Sequence, residues 1–266
     1  MKIEYRETSD DLMMRIDIHN QYGGRDIDAW MLELLAPNKG IKILDVGCGA
    51  GKLCFSFNDY LKSDCEIIGG DFNQELLDKA RTENVKRGTN IQFIDLNFNK
   101  RFPFDDNQFD LVSCSFAIYY AEDIPFTIAE MQRVIKPEGR LFTTGPMPSN
   151  KKIFYDIIKK ATGLPIPPMP GSSRYSSEIL DSIRSHFSDV KVEIFENPLV
   201  FETVDPFLAY TRASLSEDRK LWKSFFQDKA DFEKIMNKIT TVAQQQIDVE
   251  GKIVMTKVVG GFVSTK

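Results

Sequence analysis

Hydrophobic positions along the chain follow two alternating rhythms. Between residues 41 and 145, short apolar runs predict strands at 41–46, 66–70, 91–95, 109–115 and 140–145. Segments with helical spacing lie between them, at 51–61, 74–87 and 124–135. Runs such as Ile43-Leu44 and Ile67-Ile68 are apolar without alternation, as in strands covered on both faces. Strand and helix taking turns in this way predict a mostly parallel sheet between two layers of helices. Lys136-Pro137-Glu138-Gly139 supplies a stop after the last of these helices. Ahead of the sheet, Ile27, Trp30, Met31, Leu34 and Leu35 mark an amphipathic helix over 26–35. An earlier helix is expected to start at Ser9 as N-cap, with Leu12, Met13 and Ile16 on one face.

Past Pro146 the texture changes, because half of the twelve prolines fall between 146 and 170. Residues 147–176 therefore read as an irregular excursion over the surface. A helix is predicted at 177–186, a strand at 190–196, two or three charged helices within 205–248, and a closing strand at 255–264. This half shows no core pattern of its own, so a single domain over 1–266 is expected. Its parts are N-terminal helices (1–40), a cofactor-binding core (41–146), cap insertions (147–176 and 200–250) and the closing strand. The fold class is α/β, a Rossmann-like doubly wound sheet, mostly parallel with an antiparallel C-terminal strand and helical cap insertions.

The first strand runs into Asp45-Val46-Gly47-Cys48-Gly49-Ala50-Gly51-Lys52. Glycines let the backbone reach positive φ and approach a ligand closely, and the next helix offers unpaired N–H groups. A triphosphate loop needs G-x-x-x-x-G-K-[ST]; Leu53 stands where its hydroxyl belongs. A dinucleotide loop needs G-x-G-x-x-G, and the third glycine here comes one residue early. Asp45 at the strand tip would repel a pyrophosphate and welcome an ammonium group. Asp71 ends the second strand about 20 residues later, where an acid accepts both ribose hydroxyls; capping the next helix is its other reading, with Asn73 competing. The two acids together point to a cationic nucleoside.

These stretches, with Phe102-Pro103-Phe104-Asp105-Asp106-Asn107-Gln108-Phe109-Asp110 and "EMQRVIKPEGRLFTTGP" (130–146), resemble the class I S-adenosylmethionine-dependent methyltransferases, type 11 (small-molecule) group. The likeness runs from about Ile41 to Pro146. It implies S-adenosyl-L-methionine as cofactor. Asp45 would lie near its methionine end, with the backbone of Gly47, Cys48, Gly49 and Gly51 passing beneath. Asp71 would hold the ribose, Phe72 would pack on adenine, and Ser115 would offer its carbonyl to the methionine amino group. The family's adenine-reading acid falls on Asn97, whose carbonyl can accept the same hydrogen bond, with Phe98 flanking the base; Asp95 is the alternative. Tyr22, at the end of a helix that in this family closes over the cofactor, would also face it.

Methyl transfer from a sulfonium is an in-line displacement, so alignment matters more than acid or base strength. A base matters for a hydroxyl or ammonium acceptor. His19 and Tyr119 are the catalytic candidates, against a solvent-facing helix end for the first and plain aromatic packing for the second. Tyr120, Tyr210 and Arg212 are candidate substrate contacts, Arg being suited to a carboxylate; a solvated helix face explains the last two equally well. His186 reads as surface, and Cys48 and Cys114 as small buried residues. The expected activity is methyl transfer to oxygen or nitrogen of a small organic molecule. Carbon methylation of a quinone- or lipid-like acceptor, an inactive binding protein and a nucleotide-dependent dehydrogenase are the alternatives.

Charge refines this picture little. A net charge of −5 and a pI near 5.3 disfavour a phosphate-backbone interface, so no nucleic-acid partner is expected. The four cysteines form no C-x-x-C pair and the two histidines lie far from them, so no metal site is expected. The N-terminus lacks an apolar leader core and no run approaches a membrane span. A cytoplasmic protein is the expectation.

Overall fold

A computed structural model describes residues 9–167, 169–216, 222, 225, 226 and 228–266. Two helices, α1 (Ser9–Tyr22) and α2 (Ile27–Leu35), precede the sheet. There follow β1 (Ile41–Val46), α3 (Lys52–Tyr60), β2 (Cys65–Asp71), α4 (Gln74–Arg87), β3 (Gln92–Asp95), β4 (Phe109–Ser115), α5 (Ile124–Val134) and β5 (Ile135–Pro146). The second half holds α6 (Lys152–Thr162), α7 (Pro170–Arg174), α8 (Leu180–His186), β6 (Asp189–Phe201), α9 (Val204–Ser216), α10 (Lys229–Glu250) and β7 (Ile253–Thr265).

The seven strands lie in the order β3-β2-β1-β4-β5-β7-β6. The five from β1 to β5 are parallel, and β7 inserts antiparallel between β5 and β6. The order reverses between β1 and β4, which opens a crevice at their carboxyl ends, where ligands bind in open α/β sheets. Both faces are covered, one by a cluster around Val112, Ile128 and Met131, the other by one around Leu35, Phe57 and Phe142.

Local chemistry sets the boundaries. Asp26 caps α2, Asn73 caps α4 and Asp123 caps α5, each accepting backbone N–H bonds in the first turn. Gly88 ends α4 in the left-handed conformation. Helix α5 ends at Val134, just ahead of the stop expected at 136–140, and that segment forms a bulge within β5, since Ile135 pairs with Phe109 while Arg140 pairs with Leu111.

The second half departs further from the sequence reading. Residues 152–162, expected to be irregular, form α6, whose Phe154, Ile157 and Ile158 are buried. The helix expected at 177 begins at Pro170 and passes through a π turn at Tyr175–Ile179 into α8. The prolines end before this helix or start it, where proline is tolerated. Tyr175 stacks on Phe262 with centroids 4.3 Å apart. Its hydroxyl donates to the Thr143 carbonyl at 2.8 Å. A Cβ on Gly145 would come within 2.5 Å of the Tyr175 ring, so a small residue is required beneath it.

The cap carries an apolar cluster of its own, from Ile18 on α1, Phe154 on α6, Phe207 and Tyr210 on α9, Met236 and Ile239 on α10, and Met255 on β7. The expected face of α1 is also revised. Met13 and Met14 are exposed, and the inward residues are Arg15, Ile18, His19 and Tyr22. The side chains of Ser9 and Leu12 lie outside the described residues.

Candidate active site

The turn after β1 is built by three glycines in the left-handed region, Gly47 at φ 71°, Gly49 at 55° and Gly51 at 81°. A Cβ on Gly47 would meet Ala117 Cβ at 2.5 Å, so the turn and the chain after β4 are in van der Waals contact. Gly49 N–H donates to Asp71 Oδ2 at 2.8 Å, and Asn73 N–H donates to Asp71 Oδ1 at 2.8 Å. Asp71 thereby ties the tip of β2 to the glycine turn and retains one lone pair on each oxygen. Phe72 next to it is 57% exposed; an aromatic ring held open to solvent at a strand tip is a ready stacking face.

Asp45 is turned inward. Its Oδ1 accepts from Ser113 Oγ at 2.7 Å and its Oδ2 from Cys54 Sγ at 3.4 Å. Burial raises its pKa to about 6, against the hydrogen bonds from Ser113 and Cys54, and Asp71 nearby adds to the rise. The carboxylate expected to face a ligand ammonium is therefore occupied by two partners across β4 and α3. Cys48 is buried against the same group, with its thiol pKa raised.

At the end of β4, Ser115 Oγ shares a hydrogen bond with Thr144 Oγ1 at 2.5 Å and reaches Met31 Sδ at 3.4 Å. Phe116 follows with φ 55°, an uncommon conformation for a bulky residue and one concentrated at functional sites. Asn97 Oδ1 accepts from Asn99 N–H at 2.9 Å and so shapes its own turn. Asp95 is exposed at the end of β3, in register with Asp71. Phe98 is buried beside the glycine turn, 3.7 Å from where a Gly47 Cβ would sit. Asp45, the glycine turn, Asp71, Phe72, Asn97, Phe98 and Ser115 thus gather at one edge of the crevice.

The candidates from the cap separate. Tyr22 packs its ring on Phe201, with centroids 5.2 Å apart. Tyr119 and Tyr120 form a tilted pair at 4.7 Å on the short 3-10 turn after β4. Tyr210 is fully buried and meets His19 edge-on at 5.5 Å. Arg212 does not join them: its guanidinium forks Glu233 with bonds of 2.9 and 2.8 Å on the exposed face between α9 and α10. His186 caps its own helix through Ser182.

His19 Nδ1 is buried without a hydrogen-bond partner. Burial and then the charges of Lys257, Lys151, Arg15 and Lys52 lower its pKa to about 2, so the ring is neutral. Lys257, Lys151 and Arg15 escaped the sequence reading. The available signal was Lys257, a lone cation within the strand "IVMTKVVGGFV" (253–263).

A family model described as a methyltransferase domain matches residues 37–163. The chain carries a class I S-adenosylmethionine-dependent methyltransferase domain. The methyltransferase core thus spans β1 to β5 and extends into α6. Over 124 residues the chain is 28% identical to a nocamycin O-methyltransferase of Saccharothrix syringae, covering 47% of this chain and 44% of that one. It is 28% identical over 184 residues to the ubiquinone/menaquinone biosynthesis C-methyltransferase UbiE of Shewanella frigidimarina, covering 65% of this chain and 71% of that one. The YcgJ protein of Bacillus subtilis has the same fold, with a TM-score of 0.58 at 15% identity over 90% of this chain and 97% of its own. The chain spans less than half the length of the first of these relatives. Among the described residues, no helix is long and apolar enough to cross a membrane.

Proposed function

We propose that this chain binds S-adenosylmethionine across the carboxyl ends of β2, β1 and β4 and methylates an oxygen or nitrogen atom of a small organic acceptor. The observation that carries this reading is Asp71, fixed by Gly49 and Asn73 with one acceptor site left on each oxygen. A vicinal diol fits those two sites, whereas a pyrophosphate would be repelled. The open Phe72 ring supplies the adenine face, and Asn97 and Phe98 border it. Asp45, held by Ser113 through one oxygen and by Cys54 through the other, stiffens the β1 tip below the methionine end.

When bound, the cofactor supplies an electrophilic methyl group on a sulfonium sulfur. The protein's part is to align and dry the reacting atoms. Tyr119 and Tyr120 form an aromatic wall on the acceptor side of β4. His19, neutral and with Nδ1 unpaired among the described residues, accepts a hydrogen bond from the acceptor's O–H or N–H and orients it, with the proton leaving to solvent. Carbon methylation of a quinone-like ring is the second reading, favoured by the resemblance to UbiE enzymes.

Titration calorimetry with S-adenosylmethionine and with NAD tests the cofactor assignment. Binding of the first and not the second is expected, and Asp71→Asn should weaken it at least tenfold, about 1.4 kcal/mol. Preference for NAD, or an unchanged affinity in Asp71→Asn, would reject it.

A further inference from the structure

The sheet has two outer edges, and they are finished differently. The β3 edge is four residues long, and side chains of α4 bond to its backbone. Arg81 Nη2 donates to Phe93 O at 3.3 Å, and Asn84 Nδ2 to Ile91 O, just before the strand, at 2.9 Å. The opposite edge, β6, runs for 13 residues. Its second half is closed by the link between α1 and α2, where Gly23 bridges Leu199 and Arg25 Nη1 donates to Glu196 O at 2.9 Å. Residues 189–194 have no such cover among the described residues.

The pairing with β7 shows which backbone groups of that open half point outward. Val258 O accepts from Met147 N–H at 3.1 Å, and Val258 N–H donates to Asn150 Oδ1 at 2.9 Å. Val258 therefore turns both groups toward β5 and away from β6. Its partner across the ladder is Glu196, which must turn away from β7 in the same way, as its bond from Arg25 confirms. The register runs unbroken from Asp189 to Phe201. Alternation then sends the N–H and C=O of Ile194, Val192 and Val190 outward as well. Among the described residues these groups have no hydrogen-bond partner.

The side chains of this stretch are matched to an antiparallel copy of itself. Val192 and Ile194 share one face and are 37% and 44% exposed. Lys191 and Glu193 lie on the other face, both exposed, and neither has an ion pair among the described residues. An open edge with apolar side chains is a template for a further strand.

We infer that β6 pairs antiparallel with β6 of a second copy of this chain, about a twofold axis through Val192. Val192 then faces Val192 and Val190 faces Ile194, and each pair exchanges two N–H···O bonds. Lys191 of each copy falls opposite Glu193 of the other, at the positions between hydrogen-bonded pairs where side chains approach most closely. Moving the axis one residue either way sets Lys191 opposite Lys191 or Glu193 opposite Glu193, which is unfavourable. Lysine on an edge ordinarily guards it against stray strands. Here Glu193 answers that lysine in a strand of the same sequence, so the edge accepts its own copy and discourages others. The twofold consumes both β6 edges and leaves the α4-bonded β3 edges outermost, so assembly stops at two.

Sedimentation equilibrium of the full chain over a wide range of concentrations tests this. The mass should rise from 30.4 kDa to twice that value. Val192→Pro removes an N–H that points out of the sheet and none that bonds β7, a change an edge strand tolerates. It should weaken self-association at least tenfold. Lys191→Glu and Glu193→Lys each turn two attractive pairs into two repulsive ones and should weaken it on the order of tenfold. The two together should recover most of the loss, because the charges are only exchanged. A chain that stays monomeric throughout would overturn the inference, as would growth beyond two copies. So would a dimer indifferent to all three single changes, or charge variants whose combination recovers nothing. If Val192→Pro fails to fold by circular dichroism, the exposed charge variants decide the matter alone.

Discussion

Replacing Lys257 by Met should stabilise the ligand-free protein, with a gain that depends on pH. The folded state lowers the Lys257 pKa from 10.5 to about 7, first by burial and then through Lys151, Arg15 and Lys52, with Asp28 opposing. At about 1.36 kcal/mol per unit, that difference corresponds to roughly 5 kcal/mol of disfavoured ammonium. One side of the chain still meets solvent, and Phe116 returns some cation–π energy. The measurable part is therefore about 2–3 kcal/mol. The sign follows from proton counting. Below pH 7 both folded and unfolded states carry the ammonium, and the full penalty applies. Between pH 7 and 10.5 the unfolded state binds more protons, so this group makes stability rise with pH. Urea unfolding of wild type and Lys257→Met at pH 6.5, 7.5, 8.5 and 9.5 measures it. The difference should be largest at pH 6.5 and shrink steadily toward pH 9.5. Parallel curves, or a variant less stable than wild type at pH 6.5, would refute the account of Lys257 as a desolvated cation with no ion pair among the described residues.

Asp45→Asn tests the opposite sign. The Asp45 pKa is raised from 3.8 to about 6, so its penalty of up to about 3 kcal/mol is complete above pH 6 and relieved between 6 and 3.8. Asn keeps an acceptor for Ser113, so thermal unfolding at pH 7.5 should show equal or higher stability; a loss of several degrees would contradict this. Gly47→Ala places a Cβ at positive φ against Ala117 and should cost about 2 kcal/mol or more, read by denaturant melting, with cofactor binding weakened in calorimetry. Arg212→Ala removes only an exposed fork to Glu233 and should change stability by about 1 kcal/mol or less.

The parallel core and the glycine turn at its crevice were legible along the chain because both are written in local signals. Strands buried on two faces leave continuous apolar runs, and β1, β4 and α4 occur at the residues expected. The glycines at 47, 49 and 51 are there because the backbone needs positive φ, which one residue type supplies cheaply. The acid at 71 was visible by its distance from that turn. Proline content misled at 147–176, because prolines before a helix or at its first turn do not prevent it, and α6 and α7 formed.

The grouping of side chains beneath the cap was not legible, and the reason is physical. Arg15, Lys151, Tyr210 and Lys257 come from four separate elements, and no spacing in the sequence relates them. Only folding brings the loop after β5 against β7 and lays α1 against α9 and β6. The orientation of α1 was decided by the cap core, which takes Ile18 and leaves Met13 outside. Arg212 shows the converse: a residue type suited to an anion, placed by its helix beside Glu233 instead. The sequence by itself determined the parallel core and the glycine turn proposed to seat the methyl donor, since local backbone needs encode both. Tertiary structure decided that His19 and Lys151 meet on the buried Tyr210 ring, since long-range packing alone brings α1, α9 and the loop after β5 together.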